Sequence, residues 1–497
     1  AMNNKNHTEN MNRIVEKITT KNYICIFLGI FFVCVLLAPH VAFITAHVSL
    51  SSNEGWNAYL AQRAIGLDHA PLYPPSDQMV FNNYPPSSFY VVGLFGWLVG
   101  DMIVAGRIIS LLALLYCAWA TGRIVLACGG TRAGAWLAGL LVMIYSAVFY
   151  SDYVAMDDPQ WLGQAVIMTG FMVLLGNGRE PGGAGAWRPF CAGFIMVAGL
   201  TFKHNILALP VAVLVWLLLT NRRHAVAWMG GCLLSLCLLG GVYYASFGPD
   251  FVQGVLGHKR IFRAYGLLKG LGNVLGLSGM VASCAFVPWL RLRHRYGLLL
   301  GLYLALAAAS AIVQRTGMGV SHNACFEALI AASLCAGLAM SSLATGARMI
   351  GRVPARIVLV GMVGLNLLPV MVSMPAYVPY LYRVSVTSIA NHLDASNETV
   401  AAVRAIDGNV ACETLALCYW AHKPVVMDFF NYSQHVAVTH DATALERVVD
   451  RHDVAAFVSN SLFDTQEDVW EFTDLWRIIR ARYTHARLQG VAYIVTP

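Results

Sequence analysis

Charge is scarce in this sequence. Asp, Glu, Lys and Arg make up 12% of its 497 residues, about half the roughly 25% of an ordinary soluble domain. With 58% of the chain hydrophobic, too few polar residues remain to cover a soluble globule of this size. Also missing is metal-binding cysteine spacing: none of the 12 cysteines stands in a CxxC pair. Most of them, such as Cys25, Cys34, Cys117, Cys232 and Cys237, lie inside apolar runs and read as small core residues. Cys412 and Cys418 stand apart in a polar tail, where they either pair in an oxidising compartment or remain free thiols. No internal repeat or low-complexity tract stands out, and the glycine-rich stretch 176–185 reads as a flexible loop. The first apolar run is too long for a signal-peptide core and has no small-residue cleavage site, so a retained helix is expected.

What is present is a succession of apolar runs, many near the roughly 20 residues a bilayer-crossing helix needs. The expected spans are 23–47, 104–126, 132–150, 160–176, 188–203, 206–220, 224–246, 269–290, 296–314, 324–345 and 355–374. The net charge of +7 comes mainly from arginines at the ends of these runs, the pattern of the positive-inside rule. A nucleic-acid partner is therefore not expected. The basic clusters all fall on the cytoplasmic side if the run 87–100, only about 14 residues long, is interfacial or re-entrant. The fold expected is an α-helical polytopic membrane protein of about eleven transmembrane helices. A transmembrane region 1–374 with a first outer loop 48–103 is followed by a small extracytoplasmic α/β domain, 375–497. In that domain 410–412, 425–427, 455–458 and 491–495 read as strands and 442–451 as a helix.

This topology gathers polar residues on the outer face. Glu54 follows the first span closely and is either a loop carboxylate favouring a helix N-terminus or a general base at the mouth of the bundle. Asp157 and Asp158, before Pro159, either cap the next helix or face Glu54 to orient a hydroxyl or hold a divalent cation. Lys203 and His204 interrupt an apolar stretch, His258, Lys259, Arg260 and Arg263 cluster in 247–268, and Arg315 and His322 flank 315–323. These cations suit either a phosphate or anionic lipid headgroups.

In order along the chain come Asn53-Glu54-Gly55-Trp56-Asn57-Ala58-Tyr59-Leu60-Ala61, Tyr84-Pro85-Pro86-Ser87-Ser88-Phe89-Tyr90 and Gly106-Arg107-Ile108-Ile109-Ser110. Asp157-Asp158-Pro159, Gly199-Leu200-Thr201-Phe202-Lys203-His204 and Ser321-His322-Asn323-Ala324-Cys325-Phe326-Glu327 follow. Cys412-Glu413-Thr414 and Ala421-His422-Lys423-Pro424-Val425-Val426-Met427-Asp428 close the series. This order resembles the GT-C membrane glycosyltransferases, in the branch of the aminoarabinose–lipid A transferases and protein O-mannosyltransferases. Two departures stand out: Asn53-Glu54 replaces a frequent Asp-Glu pair, and Tyr84 replaces the Lys that usually precedes Pro-Pro.

The resemblance implies an enzyme of the bacterial inner membrane with its active site and C-terminal domain on the periplasmic side. It would move a sugar, with inversion, from a polyprenyl-phosphate donor to a lipid, glycan or protein acceptor. It also implies catalytic roles for Glu54 and Asp157 and contact between Lys203 and the donor phosphate; His204, His258, Lys259, Arg260, Arg315 and His322 stand beside Lys203 as phosphate-binding candidates on the charge pattern alone. A divalent cation, Mg or Mn, held by Glu54, Asp157 and Asp158, is left open as cofactor. The competing function is a transporter or flippase of lipid-linked sugars, but such proteins show inverted repeats and midplane charges. Here the polar groups gather at one face.

Overall fold

The computed structural model describes residues 27–75, 78–176, 185–277, 280, 296–346, 349–350, 353–383, 386–460 and 472–497. Helices dominate. Among the described residues six are long and apolar enough to cross a membrane: Met102–Ala127, Arg132–Phe149, Arg222–Leu256, Gly297–Gln314, His322–Ala344 and Arg356–Tyr377. Five shorter apolar helices accompany them: Phe27–Ala42, Ser87–Val99, Gln160–Leu175, Trp187–Leu200 and Ala208–Thr220. The expected span 269–290 is described only as far as the helix Tyr265–Leu275, and most of its remainder lies outside the described residues.

The first eight helices are α1 (Phe27–Ala42), α2 (Ser52–Ala64), α3 (Ser87–Val99), α4 (Met102–Ala127), α5 (Arg132–Phe149), α6 (Gln160–Leu175), α7 (Trp187–Leu200) and α8 (Ala208–Thr220). Helix α4 is central and packs on α3, α5 and α6. Its start is fixed by Asp101, whose carboxylate accepts from the backbone N–H groups of Ile103 and Val104 and so satisfies two donors that the first turn leaves open. Helix α3 ends one residue earlier at Gly100, whose φ of 89° only glycine adopts readily. At thirteen residues α3 is shorter than a bilayer crossing. The long helix Arg222–Leu256 runs ten residues past the expected end at 246, because the chain kinks at Gly248-Pro249 and then continues helical.

Leu98, Leu219, Leu233, Leu256, Val360 and Val372 are all exposed. A soluble protein would bury such a belt. On a membrane protein it meets lipid.

The C-terminal residues build a four-stranded sheet. Val410–Cys412 runs parallel to Ala456–Ser459, which pairs antiparallel with Ala492–Thr496, and that strand pairs antiparallel with His485–Gln489. Residues 425–427, expected as a strand, are not part of it, while His485–Gln489 joins as an edge strand. Cys412 and Cys418 form a disulfide.

The helix Leu415–Trp420 then packs directly on α2. A Cβ built on Gly55 would lie 2.1 Å from the backbone nitrogen of Ala416. The same contact is tied by the Tyr59 hydroxyl donating to the Lys423 carbonyl, by the Met102 N–H donating to the Tyr419 hydroxyl, and by the Trp420 indole donating to Asp101. Gly55→Ala must push backbone away from backbone. We expect a loss of about 1–3 kcal/mol, the usual cost of overpacking, seen as a lower thermal midpoint of the purified protein. An unchanged midpoint would refute the contact.

Candidate active site

Three segments converge where α2, α4 and the loop before α6 meet. Glu54, in the first turn of α2, is fully buried, and both of its oxygens are taken. Arg107 Nε donates to Oε1 and Nη2 to Oε2, each at 2.7 Å. Oε2 also accepts from the Leu50 N–H at 2.8 Å, and Oε1 from the Asp157 N–H at 3.3 Å.

Arg107 is itself wholly buried. Its other guanidinium hydrogens go to the carbonyls of Phe43, Ala46 and Val48 at 2.7, 2.8 and 2.6 Å. All five donors of the guanidinium are thereby used. The arginine folds residues 43–48 over α4 and fixes the carboxylate in a bidentate grip. Arg107 was not among the site residues expected from sequence. Its signal was a charge inside an apolar helix of 26 residues, a costly placement that calls for a partner.

Asp157 completes the centre. The preceding Ala155 is held at a φ of 52°, a conformation that costs a non-glycine residue about 1–2 kcal/mol. The Asn57 amide donates to the Asp157 carbonyl. Its carboxylate lies against Gly106, where an added Cβ would come within 2.0 Å of Oδ1, so the motif glycine beside Arg107 leaves room for it. Oδ2 is buried without a hydrogen-bond partner, and Asp157 lines a narrow pocket together with Asn57, Ser88, Phe89, Val92, Asp158 and Leu162. Burial first, then the charges of Glu54 and Asp158, hold the Asp157 carboxyl well above the usual carboxylate range.

Asp158 accepts from the Gln160 N–H and places its other oxygen 3.5 Å from Lys203 Nζ. Lys203 is buried too, and its ammonium lies 3.4 Å from the centre of the Tyr84 ring. Tyr84 stands where the family pattern would put a lysine, and Lys203 brings an ammonium to that ring from another segment.

Glu54, Asp157, Asp158 and Lys203 are therefore brought together. A second group continues from them: His204 lies in the field of Lys203 and Arg260, His258 in that of Arg260, His204 and His435, and His435 in that of Lys259. Two other expected cations have different partners. Arg315 donates to the Val320 carbonyl within its own loop, and His322 Nδ1 sits 3.3 Å from Asp152.

Glu54 is saturated by Arg107 and backbone N–H groups, whereas Asp157 Oδ2 and Asp158 Oδ2, the latter 3.5 Å from the Lys203 ammonium, have no hydrogen-bond partner. Among the described residues no group of three or more acidic, histidine or cysteine side chains could hold a metal.

The backbone is similar to that of ArnT from Cupriavidus metallidurans in the apo state. The TM-score is 0.60 at 14% identity, covering 96% of this chain and 98% of that one. The same protein bound to undecaprenyl phosphate gives 0.60 at 14% identity over 94% and 97%. A likeness at this identity establishes a shared fold. No curated protein matches the sequence. Residues 81–346, more than half of the chain, match glycosyltransferase family 87 and contain Tyr84, Gly106, Arg107, Asp157, Asp158 and Lys203. On that match, this multi-pass membrane protein belongs to glycosyltransferase family 87.

Proposed function

We propose that the chain moves a sugar from a polyprenyl-phosphate donor to a hydroxyl of a lipid, glycan or protein acceptor. The reaction would take place at the periplasmic face of a bacterial inner membrane. The observation that carries the reading is the buried, unpartnered oxygen of Asp157, next in sequence to Asp158 and its buried Lys203 partner. A lipid-linked sugar presents its reacting carbon at the membrane interface, and we place that carbon in the pocket lined by Asp157 and by residues of α3 and α4. ArnT, of the same fold, has been seen with undecaprenyl phosphate bound.

In this reading Asp157 Oδ2 accepts the proton of the acceptor hydroxyl. The freed oxygen attacks the anomeric carbon from the side opposite the phosphate, the carbon–oxygen bond to phosphate breaks, and configuration inverts. Glu54 was the expected base, but Arg107 occupies both of its oxygens. Its role becomes to seat Asp157 through the backbone N–H and to raise that carboxyl's proton affinity by its charge. Lys203 stabilises the lipid phosphate as it leaves, a charge developing against a preset cation.

The test is transfer by the purified protein in nanodiscs, with polyprenyl-phosphate sugars and nucleotide sugars compared as donors. Transfer from the nucleotide sugar alone would refute the donor class. Lys203→Ala removes a buried charge contact, which typically costs about 2–5 kcal/mol. We therefore expect the donor KM to rise about thirty-fold or more. An unchanged dependence of rate on donor concentration would take Lys203 out of the phosphate site.

A further inference from the structure

We propose that a second cavity, between residues 73–74 and 81–82, the end of the helix Arg222–Leu256 and His435 in the C-terminal region, binds one sugar ring, carried by the donor or by the acceptor. The source of the ring rests on the transferase reading above; the binding itself does not.

The cavity has a volume of about 180 Å³, enough for a monosaccharide unit. Tyr73 and Phe81 give it aromatic walls, and Asp250, Gln253, His258, Lys259 and His435 supply polar edges. That combination suits a pyranose, whose C–H face packs on a ring while its hydroxyls both donate and accept. His258 Nε2 is buried with no hydrogen-bond partner, and a sugar hydroxyl would provide one. Burial, helped by Arg260, His204 and His435, pulls the His258 imidazole down to about 4. It is therefore neutral at pH 7, with one donor and one acceptor nitrogen, which fits a hydroxyl better than a phosphate. The sequence alone had placed His258 among phosphate-binding cations.

The walls are rigid. The Trp56 indole donates to the Phe81 carbonyl at 2.9 Å, and the Tyr73 hydroxyl donates to the Tyr84 carbonyl at 2.8 Å. The Asn82 amide donates to the Leu72 carbonyl while its oxygen accepts from the Tyr84 N–H. Helix Arg222–Leu256 presses on this segment at Gly254, where a Cβ would lie 2.4 Å from the Asn82 carbonyl oxygen. The position is also suitable. Phe81 precedes by three residues Tyr84, whose ring lies under Lys203, and an extended backbone covers that interval in about 10 Å. A sugar in this cavity would lie near the phosphate contact, joined to it by one stiff segment.

The experiment is saturation-transfer difference NMR on the full chain in nanodiscs. The probes are methyl glycosides of a hexose, a pentose and an N-acetylhexosamine, with inorganic phosphate as competitor. At least one glycoside should receive saturation from the wild type. Its Kd should weaken about ten-fold in His258→Leu, the loss of one hydrogen bond, and also in Gln253→Ala, an exposed position that leaves the fold intact. Asp157→Asn should bind as the wild type does.

Absence of binding to every glycoside overturns the proposal, as does binding unchanged in both cavity variants or a glycoside displaced by inorganic phosphate. Displacement by the sugar-bearing lipid phosphate but not by the sugar-free lipid assigns the ring to the donor. Retention with both assigns it to the acceptor. Glycoside binding by a protein that transfers no sugar would leave the cavity standing and refute only the transferase reading.

Discussion

Asp157→Asn is expected to lower sugar transfer by about 10²–10⁴-fold, the range a positioned general base contributes, with the protein still folded. The amide keeps the size of the carboxylate and the backbone N–H to Glu54, so packing survives while the proton acceptor is lost. Donor KM should hardly move, because Lys203 and Asp158 remain paired. The pH dependence carries the sign of the role. The carboxyl of Asp157 is held above the usual carboxylate range by burial, Glu54 and Asp158, and a base works only when deprotonated. The rate should therefore rise with pH on an acid limb placed higher than an ordinary aspartate would give. In Glu54→Gln one of the charges that raises this carboxyl is gone, so the limb should shift to lower pH. A rate for Asp157→Asn within a few-fold of wild type, or an acid limb in the ordinary carboxylate range, would refute the assignment.

Arg107→Met should be the most damaging single change to the fold. Removing one partner of a buried ion pair typically costs about 3–5 kcal/mol, because the other charge is left unpaired. Here the carbonyls of Phe43, Ala46 and Val48 lose their donors as well. We expect little folded protein and a marked fall in the thermal midpoint of what can be purified. The double variant Glu54→Gln/Arg107→Met removes the stranded charge and should recover part of that loss, a non-additive outcome that signals direct coupling. A single variant with a wild-type midpoint would mean that the pair does not hold residues 43–48 in place.

The membrane character of the chain was legible because long apolar runs leave no other solvent for the backbone. Site residues were legible to the extent that they stood out chemically. Asp157, Asp158 and Lys203 interrupt apolar sequence, and the structure brings them together. What could not be read was who holds whom. The partner of Glu54 lies 53 residues away, and no local pattern encodes a pairing across that distance. Arg107 stood in the sequence only as one residue of the Gly106–Ser110 motif, a charge inside an apolar run with no partner in view.

Local signals failed where tertiary context ruled. Gly248-Pro249 reads as a stop, yet helix resumes beyond it. The edge strand His485–Gln489 is almost wholly exposed and so carries no alternating apolar signature. Residues 425–427 have a strand's composition but join no sheet; the next residue, Asp428, bonds through its N–H to the Met79 carbonyl instead.

The contact of Gly55 with Ala416 has a bearing on how relatives can be recombined. The family match ends at residue 346, yet the helix Leu415–Trp420 lies against α2 one residue from Glu54. A chimaera cut at residue 346 would join an α2 and a C-terminal segment from different parents, with Gly55, Tyr59 and Asp101 facing strangers. Exchangeable parts are therefore defined by this seam, and a donor of residues beyond 410 must bring its own version of residues 51–64 with it.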